Sequence, residues 1–136
     1  MTAERQAFPA RTDVLPKVSA FIEQRCADLG VGRPVTLLLL LLAEELFINT
    51  VIHGYGNDGR RRIDLAVRDC GPEVELVAED SARAFNPFVG ISSEAPEERV
   101  GGYGRLLLVG LSSRQSYQRD GQLNRVTVGV AKNRAQ

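Results

Sequence analysis

Hydrophobic residues recur every three or four positions near the start of the chain. This spacing is kept by Leu15, Val18, Ile22, Cys26 and Leu29. It predicts an amphipathic helix with Thr12 as a possible N-cap, Pro16 in its first turn and Gly30 as its stop. Residues Gln6 to Ala10 precede it and predict a short edge strand, because Pro9 cannot donate a hydrogen bond to a neighbouring strand.

A leucine-rich stretch follows, opened by Gly32-Arg33-Pro34 and ended by a series of breakers that begins at Gly54. Apolar residues surround its axis, so the pattern predicts a buried helix. The uncharged run from Pro34 to Ala43 is far short of the ~20 residues that a membrane-spanning helix needs. We therefore expect no membrane segment here.

Strict alternation of apolar and polar residues predicts two hairpins. The first joins the series Ile63, Leu65, Val67 and Val74, Leu76, Ala78 through a turn at 69–72, and the second joins 115–119 to Leu123, Val126, Val128 and Val130 through Asp120-Gly121. Residues 81–100 lack periodicity, and a glycine loop then precedes a short apolar helix at 106–111. These turns are too short for parallel crossovers. The predicted fold class is therefore α+β, a two-layer sandwich with a mainly antiparallel or mixed sheet and helices on one face.

Composition narrows the choice of partner. A chain of 136 residues predicts one domain, residues 1–136, and its 17 basic residues balance 17 acidic ones. This balance removes the usual electrostatic signature of a nucleic-acid binder and favours a protein or small-molecule partner. Cys26 and Cys70 fit neither a disulfide framework nor a zinc site, and the amino terminus lacks the apolar core of an export signal. We expect a cytoplasmic protein.

Three polar residues interrupt the leucine-rich helix. Glu45, Asn49 and His53 recur every four residues, so they lie along one stripe of the helix. A buried Glu or Asn costs roughly 1–3 kcal/mol unless it is hydrogen-bonded or binds a ligand. Backbone groups could satisfy Glu45 and Asn49, and a structural role is the commoner one for a lone histidine such as His53.

Two further features suit a nucleotide. Asp80 ends a predicted strand, although a strand-end Asp more often only caps or turns. Gly101-Gly102-Tyr103-Gly104 precedes a predicted helix, where backbone N–H groups and the helix dipole attract phosphate. Asn49 offers the neutral oxygen that suits Mg²⁺, which takes few protein ligands together with phosphates.

The order and spacing of these features resemble the anti-sigma-factor serine/threonine kinases, which have the histidine-kinase-like (GHKL) ATPase fold. The stretch from Glu45 to Tyr55 resembles the N-box of that family, Asp80 to Pro87 its adenine-binding box, and Gly101 to Gly104 its second glycine box. The segment from Tyr117 to Val128, with its glycine turn and Asn124, is similar to the closing hairpin of the family.

The resemblance implies a role for each matching residue. Asn49 would hold Mg²⁺ against the triphosphate of ATP, and Glu45 would act as general base on the hydroxyl of a protein serine. Asp80 would accept the adenine amino group. The remaining cofactor-binding positions would be Ala82 at the base and Gly102, Gly104 and Arg105 at the phosphates, under a lid from about Phe88 to Val100. Phosphoryl transfer needs mainly alignment and charge neutralisation, so this sparse set is chemically sufficient.

Three positions depart from the family pattern. Ala82 replaces a glycine and would narrow the base pocket, Asn86 replaces an acidic residue, and Arg105 replaces an apolar one. Arg105 could reach phosphate or remain solvated. These departures affect the expected nucleotide affinity more than the expected fold.

Two functions follow from the resemblance. The first is an ATP-dependent serine/threonine kinase that binds a sigma factor and phosphorylates an anti-anti-sigma (STAS-type) protein, with no direct nucleic-acid or membrane contact and a homodimer as a possible assembly. The alternative is a noncatalytic nucleotide-binding module that sequesters a sigma factor or another regulatory partner. Phosphotransfer from ATP to a cognate partner distinguishes them.

Overall fold

A computed structural model describes residues 3–88 and 110–133 of the chain. Its sheet contains five antiparallel strands in the order β1-β2-β3-β5-β4. The strands are β1 Arg5–Pro9, β2 Arg62–Cys70, β3 Glu73–Asp80, β4 Arg114–Asp120 and β5 Leu123–Ala131. Both predicted hairpins and the edge strand are confirmed, as is the α+β fold class.

Helix α1, Leu15–Leu29, differs from its prediction at the start. Thr12 is not its N-cap, because Thr12–Val14 forms a separate 3-10 turn and no side chain caps the helix. Pro16 lies in the first helical turn, where its missing N–H has no consequence. The helix ends at Gly30, whose φ of 71° is the left-handed conformation that glycine adopts without strain.

Helix α2, Arg33–Asn49, continues into a π-helical turn, Thr50–Gly54. The prediction that this helix is buried all round is wrong on one side. Leu37 and Leu41 are 51% and 42% exposed, so within the described part of the chain α2 has one apolar face open to solvent. The opposite face carries the buried side chains Leu39, Leu42, Leu46 and Phe47.

The stretch Arg33–Gly54 is, by length and composition alone, long and apolar enough to cross a membrane. Half of its most apolar window is buried within the fold, and core helices of soluble proteins meet the same criterion. The two acidic residues Glu44 and Glu45 lie in its second half.

The core lies between the helices and one face of the sheet. Alternate residues of the three central strands supply it with side chains that are at most 1% exposed: Ile63, Leu65, Val67, Val74, Leu76, Val128 and Val130. Phe8 from β1 packs edge-on against Phe21 of α1 and Phe47 of α2, with ring centroids 5.8 and 6.3 Å apart.

Ion pairs link the strands across the other face of the sheet. Glu79 of β3 is only 6% exposed and forms ion pairs with Arg5 of β1 and, at 2.5 Å, with Arg125 of β5. Arg114 of β4 contacts Glu73 at 3.0 Å and Glu75 at 2.7 Å. Both β1 and β5 are thus connected to the carboxylate of Glu79.

Candidate functional site

A cavity that is partly open to solvent lies where the end of α2 meets the ends of β3 and β5. Its walls bring together three residues that the sequence predicted as a group, Asn49, Asp80 and Ala82. The other lining residues are Leu46, Thr50, Gly54, Ala78, Arg83, Phe85, Pro87, Asn124 and Val126. The predicted phosphate contacts Gly102, Gly104 and Arg105, and the predicted lid beyond Phe88, lie outside the described residues.

Asp80 is the last residue of β3 and pairs in register with Asn124 of β5. Its Oδ1 accepts hydrogen bonds from the backbone N–H of Ala82 and from Nδ2 of Asn124, both at 2.9 Å. Among the described residues no donor reaches Oδ2. Within the described part of the chain, the Asp80 carboxylate therefore presents one unused acceptor at the cavity.

Asn49 ends α2 and is only 4% exposed. Neither its Oδ1 nor its Nδ2 forms a hydrogen bond with any described residue. An unpaired buried amide costs free energy that a bound ligand can recover. Its oxygen is a hard neutral ligand of the type that Mg²⁺ accepts beside phosphate oxygens, so the residue fits a metal-bound triphosphate.

Glu45 lies one helical turn before Asn49 and is half-buried, but it does not line the cavity. Burial raises the pKa of the Glu45 carboxyl, and the neighbouring charge of Glu44 raises it further. The Asn49 amide and His53 act in the opposite direction on that pKa, although the Asn49 amide forms no hydrogen bond of ordinary geometry. A carboxylate with a raised pKa has the property that a general base requires.

Ala82 is accommodated by a glycine on the facing element. A Cβ placed on Gly54 would lie 3.2 Å from the Ala82 Cβ, closer than side chains usually pack. Gly54, at the end of the π-helical turn, thus leaves room for the Ala82 methyl at the cavity wall. Asn86 replaces an acidic residue without losing the turn, because its Oδ1 accepts from the Phe88 N–H at 2.9 Å.

Sequence reasoning did not assign Tyr55 a function in the site. Its hydroxyl accepts from the backbone N–H of Ser81 at 2.8 Å and donates to the carbonyl of Arg62 at 2.7 Å. Tyr55 therefore ties the end of the π-helical turn to the residue that follows Asp80. The guanidinium of Arg61 lies 4.6 Å from the centre of the Tyr55 ring.

The sequence pattern places Asn124 and Tyr117 only in a predicted hairpin. The Tyr117 hydroxyl accepts from the Phe85 N–H at 3.2 Å and donates to Asn124 Oδ1 at 2.5 Å. One sequence signal was available: Asn124 is a polar residue in the inward-facing series that continues with Val126, Val128 and Val130. A buried amide in such a series needs partners.

Comparison with known proteins gives the family of this fold. A family model described as the histidine kinase-like ATPase domain matches residues 8–130. Among proteins with curated functions, none matches the sequence.

Two solved structures have a similar fold at low identity. A chain in the crystal structure of the SiaB-SiaC complex from Pseudomonas aeruginosa is 10% identical, with a TM-score of 0.65 over 93% of this chain and 88% of that one. The histidine kinase domain of the blue-light activated histidine kinase EL346 from Erythrobacter litoralis is 18% identical. It has a TM-score of 0.54, and the match covers 93% of this chain but only 63% of that one.

Proposed function

The chain belongs to the histidine kinase-like ATPase domain family, and from this premise we propose that it binds Mg²⁺-ATP and transfers the γ-phosphoryl group to a serine or threonine of a protein partner. One observation carries the proposal. The amide of Asn49, which has no hydrogen-bond partner among residues 3–88 and 110–133, and the Asp80 oxygen that no donor in these ranges reaches lie in the walls of one cavity. The Asn49 amide is the polar group that the triphosphate end of the nucleotide requires, and the Asp80 oxygen is the one that the base requires.

At the base end, Asp80 Oδ2 accepts a hydrogen bond from the amino group of adenine. The apolar residues Ala78, Ala82 and Val126 line the same cavity and suit the faces and edges of the ring. Because Asp80 is almost fully buried, its hydrogen bond to the base is little weakened by competition with water.

At the phosphate end, Asn49 Oδ1 is the protein ligand of the metal ion. Asn49 Oδ1 would hold this ion, which would supply neutralisation of the phosphate charge. We assign Gly102, Gly104 and Arg105 to the phosphates on the resemblance in sequence. Glu45 takes the proton of the attacking hydroxyl, and its position one helical turn from Asn49 keeps this base near the metal-bound phosphates.

The proposed partners are a sigma factor, which the protein sequesters, and an anti-anti-sigma protein of the STAS type, which carries the phosphorylated hydroxyl. The sequence motifs support both, and one structural neighbour comes from a complex of two proteins. The proposed location is the cytoplasm, where sigma factors act.

A second candidate is a nucleotide-binding module that sequesters its partner without phosphorylating it. The position of Glu45 outside the walls of the cavity favours this alternative. Incubation with radiolabelled ATP and the cognate anti-anti-sigma protein separates the two candidates, because only the kinase labels the partner.

Calorimetric titration with Mg²⁺-ATP tests the site itself. A hydrogen bond to a charged group contributes about 1.5–3 kcal/mol, so Asp80→Asn should weaken binding by roughly 10-fold to 150-fold. Asn49→Ala should also weaken binding and should reduce its dependence on magnesium. Asp120→Asn is the matched control, since Asp120 also ends a strand but is exposed. Equal affinity in the wild type and both site variants would refute the site.

A further inference from the structure

The Asn124 side chain forms several hydrogen bonds to Asp80 and the residues that follow it, beyond those that pair strands β3 and β5. It is 2% exposed and lies opposite Asp80 in the sheet register. Its Nδ2 lies 2.9 Å from Asp80 Oδ1, 3.2 Å from the Ala82 carbonyl and 3.0 Å from the Arg83 carbonyl. Two amide hydrogens are thus shared among three acceptors, all of them in or just after the end of β3.

Donors on the other side fix the orientation of this amide. Asn124 Oδ1 accepts from the Tyr117 hydroxyl at 2.5 Å and from Arg119 Nη1 at 3.1 Å. A flipped amide would place its NH₂ group against these donors and its oxygen against Asp80. The hydrogen-bond pattern therefore permits one orientation, in which Nδ2 faces the carboxylate.

This contact changes what the carboxylate can recognise. Oδ1 of Asp80 is occupied by two donors, the Asn124 amide and the Ala82 N–H, whereas Oδ2, which no described residue engages, remains for a ligand. Guanine presents two adjacent donors on its Watson–Crick edge, the ring N1–H and the 2-amino group, which pair best with both oxygens of a carboxylate. Adenine presents a single amino donor beside a ring acceptor.

We propose that Asn124 is a positioning residue that sets base specificity: by occupying Oδ1, it restricts Asp80 to one acceptor and so favours adenine over guanine nucleotides. This inference rests on the proposed binding of ATP to the same cavity. It assigns the discrimination between purines to a residue that acts through Asp80.

The test compares Mg²⁺-ATP and Mg²⁺-GTP as calorimetric titrants. The wild type should prefer ATP. In Asn124→Ala, ATP binding should weaken roughly tenfold while GTP binding stays constant or strengthens, so the ratio of the two affinities falls by roughly tenfold or more. Tyr117→Phe keeps Asn124 but removes a donor that orients it, and should shift the ratio in the same direction by a smaller factor. Ser116→Ala, on the opposite face of β4, should leave the ratio unchanged.

If Asn124 has a purely structural role, the variants should bind both nucleotides more weakly by the same factor, and the affinity ratio should keep its wild-type value. That result would overturn the inference. If Asn124→Ala does not fold, Tyr117→Phe decides, because it removes only one hydroxyl. A wild type that binds ATP, with the ratio unchanged in the variants, overturns this inference alone. A wild type that binds neither nucleotide overturns the proposed function and this inference together.

Discussion

The two buried asparagines at the cavity, Asn49 and Asn124, should respond in opposite ways to the same substitution. Replacement by leucine keeps the approximate shape of the side chain but removes both polar atoms. In Asn49 those atoms have no partner among the described residues, whereas in Asn124 they bond both Asp80 and Tyr117. Asn49→Leu should therefore stabilise the protein without nucleotide, and Asn124→Leu should destabilise it.

The size of the first effect follows from the burial of Asn49. An unsatisfied buried polar group costs about 1–3 kcal/mol, and its removal should recover an amount of this order. The entropy of unfolding scales to about 0.3 kcal/mol/K for a chain of this length, so the melting temperature should rise by about 3 to 10 °C. The same variant should lose magnesium-dependent binding of ATP, because the apolar side chain offers no metal ligand.

Thermal unfolding by circular dichroism, without nucleotide and with saturating Mg²⁺-ATP, measures both effects. The melting temperature of the wild type should rise on addition of nucleotide, and that of Asn49→Leu should rise little. A lower melting temperature for Asn49→Leu without nucleotide would show that the amide is satisfied in the folded protein. A nucleotide-induced gain equal to that of the wild type would show that Asn49 is not a ligand.

Three further predictions concern the elements around this site. Glu45→Gln should lower the rate of phosphotransfer by roughly 10²- to 10⁴-fold with little change in ATP affinity. The control Glu44→Gln changes an exposed residue and should retain activity. An equal loss of activity in both variants would show that Glu45 is not the base. Because the pKa of Glu45 is raised in the folded state, its contribution to stability is full below about pH 4 and is lost as pH rises through the folded pKa. Denaturant titrations should therefore show the free energy of unfolding of Glu45→Gln rising relative to that of the wild type as the pH increases above about 4, and parallel curves would contradict the raised pKa. Tyr55→Phe should cost about 1–3 kcal/mol of stability, since the Ser81 N–H and the Arg62 carbonyl lose their partner, and it should weaken ATP binding; unchanged chemical denaturation would show that water replaces the hydroxyl.

The sheet was predictable because alternation reports directly which face of a strand is buried. Each predicted hairpin agrees with the observed strands to within about one or two residues at its ends, since turn residues such as Gly71 and Gly121 adopt positive φ. The helix starts were less predictable. Thr12 has the right residue type for an N-cap, but a 3-10 turn separates it from α1, and no local pattern signals that choice.

The site was predictable only in part, for a reason of topology. Asn49 and Asp80 were found because each belongs to a local motif. The hydrogen bond between Asp80 and Asn124 joins residues 44 positions apart, and it depends on the register between β3 and β5. The π-helical turn brings Gly54 against Ala82, and the spacing of hydrophobic residues along the sequence does not predict it.

The ion pairs of Glu79 have a consequence for the order in which a newly synthesised chain forms its contacts. Arg5 is synthesised before Arg125, so until Arg125 has been made and β5 has paired, the Glu79 carboxylate has only one of its two described partners. Arg125 is the neighbour of Asn124 on the same strand, with the two side chains on opposite faces of the sheet. The strand that brings the second ion-pair partner of Glu79 therefore also brings the amide that orients Asp80, so these outer ion pairs and the base-binding end of the cavity are completed together.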